Sequence, residues 1–233
     1  MMQFRYETHC HSNRCSRCAH STPEELVNAY HAKGFSGLVL TDHFVHGNHC
    51  VDLTLPWEDQ MRCYYDAYLE AKEAAKDLDF DVLFGIEHAY GGGLEVLCYG
   101  IDLDFLISNP DIPSLDLEQF AKRIHAYGGI LIHAHPYRWA GPELVLPMEH
   151  LDGIEVFNSG NPPWKNELAE SFARGKNLIQ TSGGDTHLSS SAKLGEAGIA
   201  LPHRVRTEAA LVNALKQKEH SLIFPGGLYQ PYD

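Results

Sequence analysis

The order of apolar and polar positions divides the chain into short buried strands alternating with amphipathic helices. Met2 to Thr8 reads as a first strand, running into two histidines one residue apart, His9 and His11. Thr22-Pro23-Glu24-Glu25 then opens a helix with a capping hydroxyl, a proline in the first turn and acids at the positive end. Leu26, Ala29 and Tyr30 continue it on one face, and Gly34 ends it. Gly37 to Thr41 is a short apolar run of the fully buried kind, and strand, helix, strand in that order predicts a parallel sheet. Glu58 to Leu78 predicts a long helix, with Met61, Tyr64, Tyr65, Tyr68 and Leu69 assigned to core packing. Further strands are predicted at 81–86, 94–100, 130–132, 151–157 and 178–181, near Ile199, and at 222–224. Helices are predicted at 117–127, 165–174 and 207–218. Gly91 to Gly93 lacks a phosphate-loop pattern and reads as a flexible turn. No internal repeat, low-complexity tract or linker interrupts this rhythm, so a single α/β domain over residues 1–233 is expected.

Chemistry gathers where strands are predicted to end. His9 and His11 sit at i and i+2 of extended backbone and project to one face, where two imidazoles can hold one cation. Asp42-His43, Glu87, His133/His135 and Asp185/His187 end four later strands. In α/β sheets and barrels such ends converge on one face. Any one of these histidines could be an ordinary hydrogen-bonded residue, but five coincidences at one topological position point to a shared site. Imidazoles with carboxylates suit Zn, Mn or Fe. The ligands exceed what one ion can take, so two or three divalent transition metals sharing a carboxylate are expected. Such clusters activate water and stabilise entering and leaving oxygens in phosphoryl transfer.

Composition narrows the partners. The 233 residues carry a net charge of −13, from 31 acids against 18 Lys plus Arg. That balance predicts a small phosphorylated substrate and argues against a long nucleic acid, whose binding relies on basic residues displacing counterions. No apolar run reaches membrane-spanning length and no signal-peptide core begins the chain, so a cytoplasmic protein with no membrane partner is expected. The six cysteines are then read as reduced thiols. Cys15-x-x-Cys18 has no second pair to complete a separate structural zinc site. The oligomeric state is not legible.

The ordered set His9-x-His11, Thr41-Asp42-His43, Gly85-Ile86-Glu87, Ala134-His135-Pro136 and Gly184-Asp185-x-His187 resembles the PHP (polymerase and histidinol phosphatase) family, over the chain up to about residue 187. The resemblance implies a distorted (β/α)7 TIM-like barrel with a two- or three-metal centre and phosphoesterase chemistry. It implies that His9, His11, Glu87 and Asp185 hold one ion, with Glu87 bridging to a second that His135 also binds. His43 and His187 would hold a third. Two positions depart from the family pattern. Glu95 stands where a histidine often precedes the following strand, and the third-metal ligand after the His pair falls in the 15–20 loop, with His20 nearest and Cys18 behind it. His133, Asp42 and His88 lie beside the motifs and are read as supporting residues.

The function expected is hydrolysis of a small phosphate monoester, as in histidinol-phosphate phosphatase. Asp185 or His187 would relay protons, and Arg138 or Arg17 would bind phosphate. A nucleotide phosphatase or short-oligonucleotide exonuclease is the alternative. A metal-binding module without catalysis is the reading from another class.

Overall fold

The computed structural model describes residues 3–139 and 146–232; Met2, where the sequence reading begins the first strand, lies outside them. The chain runs β1 (Phe4–Cys10), α1 (Pro23–Ala32), β2 (Gly37–Leu40), α2 (Trp57–Ala75), β3 (Asp81–Ala89), β4 (Glu95–Tyr99), α3 (Leu103–Ser108), α4 (Leu117–Tyr127) and β5 (Ile130–His133). It continues with β6 (Gly153–Asn158), α5 (Pro163–Ala173), β7 (Ile179–Gly183), β8 (Gly198–Leu201), α6 (Glu208–Gln217), β9 (Ser221–Phe224) and β10 (Gly227–Tyr229). Thr22, the cap expected from sequence, closes a capping box with Glu25 on α1, and Asp116, which the sequence reading did not name, closes one with Gln119 on α4.

Ten strands form one sheet in the order β10-β9-β8-β1-β2-β3-β4-β5-β6-β7. The expectation of a parallel sheet is corrected in part. Pairs β1–β2, β2–β3, β5–β6 and β6–β7 are parallel, but β4 is antiparallel to both neighbours, and β8, β9 and β10 add antiparallel pairings. The count of seven strand–helix units is likewise not reproduced. The cause is local: Gly91, Gly92 and Gly93 take φ of 82°, 62° and 75°, so β3 turns straight back into β4 without a crossover helix. The short helix α3 has too few turns to leave a periodic signature, and the sequence reading passed over it.

The sheet curls into a half-barrel. Beyond the end of β7, Thr186 bridges Cys10 in parallel, with His11 N–H to Thr186 O at 2.9 Å and Thr186 N–H to His9 O at 3.2 Å. Strands β1, β2, β3, β5, β6 and β7 therefore end on one rim. Because β4 runs the other way, its first residue, Glu95, lies on that same rim.

Alternation decides what faces inward. In β3, Val82, Phe84 and Ile86 join the apolar cluster formed with α1, α2 and α4, while Leu83 joins a second cluster with Leu97, Tyr99 and α6. Glu87 is in phase with Leu83, and Glu95 with Leu97. Leu69, assigned to the core from sequence, is 47% exposed.

Among the described residues, no helix is long and apolar enough to cross a membrane. All six cysteines are free.

Candidate metal centre

The rim collects the predicted acids and histidines around one residue. Glu87 is fully buried within β3 rather than at its end, since β3 continues to Ala89. Its Oε1 lies 2.9 Å from His135 Nε2 and 3.2 Å from His9 Nε2. Its Oε2 lies 2.6 Å from His43 Nδ1 and 3.6 Å from His11 Nε2. Asp185 Oδ1 reaches His11 Nε2 at 3.1 Å and His9 Nε2 at 3.5 Å, and Glu95 Oε2 reaches His135 Nε2 at 3.3 Å. Among the described residues, four groups of side chains each bring one donor atom per residue within 4.8 Å of one another. They are His9/Glu87/His135, His9/His11/Asp185, His43/Glu87/Glu95 and His11/His43/His187.

The backbone is bent to make this possible. His135 and Asp185 take φ of 25° and 49°, left-handed conformations that a side chain adopts at a cost and that recur at functional sites. The Gly183-Gly184 pair lets β7 approach closely. A Cβ on Gly183 would meet Glu155 Oε1 at 2.2 Å, and one on Gly184 would meet Glu7 Oε2 at 2.5 Å. Glu7 ties the seam: its Oε1 accepts from the N–H groups of Thr8, His9 and Gly184, and its Oε2 from the Tyr30 hydroxyl. Burial pushes the Glu7 carboxyl up to about 7, and these donors limit the rise.

Hydrogen bonds behind the rings set which nitrogens face the centre. Ser16 has one hydroxyl proton, donated to Asp42 Oδ1 at 2.7 Å, so it accepts from His11 Nδ1 at 3.3 Å. That leaves the His11 Nε2 lone pair toward Glu87 and Asp185. His9 Nδ1 donates to Glu155 Oε1 at 3.1 Å, with the same result at His9 Nε2. His187 Nδ1 donates to the Asp185 carbonyl at 2.8 Å, freeing its Nε2. Orienting partners of this kind are what hold metal-binding imidazoles in place. The sequence reading placed Asp42 among supporting residues, and the structure puts it behind Ser12 and Ser16. It gave no role to Ser16 or to Glu155.

The donors fit divalent transition ions. Among the described residues, His9 Nε2, His11 Nε2, His43 Nδ1 and Glu87 Oε2 are buried with no hydrogen-bond partner, although each has charged or lone-pair neighbours within a few ångströms. Unpaired buried groups carry a desolvation cost unless something else binds them. Burial pushes the Glu87 carboxyl up, but the surrounding imidazoles of His9, His135 and His43 outweigh it and hold it well below the usual range. Burial likewise raises Asp185, and His9, His11 and Arg138 more than offset that. For His135, burial and Arg138 push the imidazole down, yet Glu87 and Glu95 bring it up to about 9. Carboxylates held ionised beside imidazole lone pairs are donors open to a cation.

Arg138 joins the centre and Arg17 does not. The Arg138 guanidinium donates to Asp185 Oδ2, to Asn161 Oδ1 at 2.9 Å and to Asn158 Oδ1 at 2.5 Å. Arg17 is exposed and donates instead to the His49 carbonyl at 3.3 Å. The His20 imidazole is also exposed; only its backbone N–H reaches the site, bonding His187 O at 2.8 Å. Cys18 lies at the edge of the cluster, with Sγ 3.1 Å from His187 Nε2. Burial raises the Cys18 thiol, but hydrogen bonds with His187 and His43 bring it down to about 6. His133 turns away, donating from Nδ1 to Ala134 O and accepting the Leu146 N–H at Nε2. His88 sits in the apolar layer against Phe44, Tyr90 and Phe120.

Solved structures share this fold at low identity. A two-domain protein from Bacteroides vulgatus containing a PHP-like metal-dependent phosphoesterase superposes with a TM-score of 0.71 at 16% identity, over 97% of this chain. The chain spans 66% of that protein's length. An amidohydrolase from Chromobacterium violaceum, with bound sulfate and no metal, gives a TM-score of 0.63 at 16% identity, covering 98% of both chains. Endonuclease Q, in complex with a 27-mer duplex carrying an abasic lesion, gives 0.62 at 13% identity, over 98% of this chain and 58% of its own. No curated protein matches the sequence. The endonuclease overturns the expectation that charge balance rules out nucleic acid. The same fold acts on duplex DNA, so the surplus of acids over bases does not decide the substrate. The model of the PHP domain matches residues 7–186, the segment that supplies every side chain of this rim except His187, and the chain belongs to the PHP domain family.

Proposed function

We propose that the chain is a metal-dependent phosphoesterase that hydrolyses a phosphate monoester. One observation carries the reading. The two oxygens of Glu87 face different imidazoles, Oε1 toward His9 and His135 and Oε2 toward His43 and His11, which suits a carboxylate shared between two cations. Divalent ions held there supply Lewis acidity and a water of lowered pKa.

The protein's own groups supply the rest. Asp185 positions His11 on one side and Arg138 on the other, so the phosphate-binding cation and the ligand cluster share one support. Three of the five guanidinium N–H groups of Arg138 are committed to Asp185, Asn158 and Asn161. Two remain for the oxygens of a terminal phosphate. His187, partly open to solvent, is placed to pass a proton to the leaving oxygen.

A second reading, cleavage of a phosphodiester in nucleic acid, is favoured by the fold shared with endonuclease Q. The test loads the protein with Zn, Mn or Fe(II) and measures phosphate release from aryl, sugar, amino-alcohol and nucleoside phosphates. Strand cleavage of an abasic duplex is followed in parallel. Release from monoesters that disappears in Glu87→Gln supports the first reading. Strand cleavage without monoester turnover supports the second. No turnover with fully loaded protein returns the chain to a metal-binding role.

A further inference from the structure

Two loops meet behind the cluster, and each brings a cysteine to the meeting point. Ser16 and His49 form an isolated antiparallel bridge, flanked by Arg17 N–H to Asn48 O at 2.9 Å and Cys50 N–H to Cys15 O at 2.7 Å. Cys15 and Cys50 are therefore the next opposed pair, and opposed side chains share a face. Opposed residues joined by such a bond keep their Cα atoms about 5.5 Å apart, inside the roughly 4.4–6.8 Å that a disulfide spans. Cys50 Sγ already lies 3.3 Å from Arg14 O, on the peptide that leads into Cys15. Cys63 is the rival partner, since Cys15 Sγ is 3.4 Å from its carbonyl. Cys63 belongs to α2, however, and helical carbonyls point toward the C-terminus while Cα–Cβ bonds tilt toward the N-terminus. The face of Cys63 that Cys15 touches is the one its own sulfur leaves.

The ordinary reading is two unrelated thiols, one packed and one wet. It leaves their position unexplained. Ser16, next to Cys15, accepts from His11 Nδ1 at 3.3 Å and from the His43 N–H at 2.9 Å, and donates to Asp42 Oδ1 at 2.7 Å. The cysteine pair thus flanks the hydroxyl that holds His11 and His43. Its two members also differ in the way a redox pair requires. Cys50 is exposed and meets an oxidant first, whereas Cys15 is buried and its thiol is pushed up by that burial, so it stays protonated until a partner presents itself.

We propose that Cys15 and Cys50 are a redox-responsive pair whose disulfide clamps the loops 12–20 and 43–50 together behind the cluster. The inference goes beyond the proposed function and stands whether or not the chain hydrolyses a phosphoester. The oxidant is a small-molecule disulfide of the glutathione type. The Cys50 thiolate attacks it, forming a mixed disulfide and releasing one thiol. Cys15 gives up its proton and attacks the Cys50 sulfur, and the second thiol leaves with that proton. Two protein thiols are oxidised and one small disulfide is reduced to two thiols. A bond with one partner at the surface is open to the reverse exchange, which makes it a switch rather than a permanent staple.

The experiment equilibrates the whole protein in glutathione buffers of rising oxidised fraction, blocks the remaining thiols with an alkylating agent and maps the peptides. A Cys15–Cys50 cross-link is expected, reversed by dithiothreitol, with Cys63 alkylated throughout. Amide hydrogen exchange over residues 12–20 and 43–50 reads the clamp without reference to metal or turnover. It should slow by about tenfold or more in the oxidised wild type, because local opening then has to stretch a closed loop. In Cys50→Ser, which changes an exposed side chain, exchange should match the reduced wild type in every buffer. A link from Cys15 to Cys63, or a Cys50 that takes up glutathione and never closes onto Cys15, overturns the pair. A Cys15–Cys50 link that leaves exchange in both loops unchanged overturns the clamp.

Discussion

His9 Nδ1 lies 3.1 Å from Glu155 Oε1, and this contact fixes which nitrogen of His9 faces Glu87. The other oxygen of Glu155 accepts the His135 backbone N–H at 2.7 Å and Asn158 Nδ2 at 2.8 Å. One fully buried carboxylate in β6 thus orients a ring from β1 and the left-handed turn after β5. Both contacts lie behind the cluster and position the side chains that form it.

Glutamine cannot replace Glu155. An amide has one acceptor oxygen, while the three donors divide over both oxygens of the carboxylate. Whichever way the amide turns, an N–H₂ faces a donor. Glu155→Gln is expected to lower metal affinity by about 10- to 100-fold, the usual effect of losing an orienting partner, with the fold retained. Competition titration with a chromogenic chelator measures it, and unchanged affinity would show that His9 needs no support from β6.

The gathering of acids and histidines on one rim was legible because most of them follow an apolar run, and parallel strands deliver such positions to one rim. Glu95 was legible only as a departure from a family pattern. Its location follows from the reversed direction of β4, which the triple-glycine turn imposes and no periodicity reveals. Glu155 was harder to find. It sits inside the strand Gly-Ile-Glu-Val-Phe-Asn, where an acid reads as an outward residue on a half-buried strand, yet the curl of the sheet turns that face inward. The choice between His20 and Cys18 depended on loop geometry. Both follow the His pair within a few residues, and in the folded loop Cys18 Sγ faces His187 while the His20 imidazole is exposed. The acid surplus was read correctly as a quantity and wrongly as a veto on nucleic acid. Net charge describes the whole surface, and substrate choice belongs to the site.

His220, far from the rim motifs in sequence, supplies a pH test of the fold. It is fully buried, and its Nε2 lies 2.7 Å from the Gln180 carbonyl, to which it donates. Burial pushes its imidazole below the ordinary 6.5; the Gln180 carbonyl opposes this and Lys218 adds to it. A histidine kept neutral in the fold contributes stability above its unfolded pKa, and that contribution is lost as pH falls through the folded one. The wild type should therefore lose part of its margin over His220→Gln as the solution is acidified below pH 6.5. Thermal unfolding of both proteins from pH 8 to pH 5 gives the difference directly, in which titrations common to both cancel. A gap in Tm that stays constant across that range would show that His220 is protonated as readily inside as outside.

The last prediction concerns Arg138, because its geometry separates binding from support. The guanidinium is held by Asn158, Asn161 and Asp185, so its plane is set before any substrate arrives. Truncation removes two donors from the bound phosphate and one partner from Asp185. A charge-assisted hydrogen bond contributes about 1.5–3 kcal/mol, so losing two in Arg138→Ala should lower kcat/KM for a monoester by roughly 100-fold or more. Lysine keeps the charge but not the fork, and Arg138→Lys should recover only part of the loss. The loss should fall mainly on KM if Arg138 grips the substrate phosphate equally in the ground and transition states, and on kcat if it meets charge that develops during the reaction. Metal content separates these effects from damage to the ligand cluster. Asp185 keeps its contacts to His9 and His11 in either variant, so both should bind the same number of ions as the wild type. An Arg138→Ala protein with full metal and unchanged kcat/KM would remove Arg138 from the substrate site and leave it as a brace between β7 and the loops that follow β5 and β6.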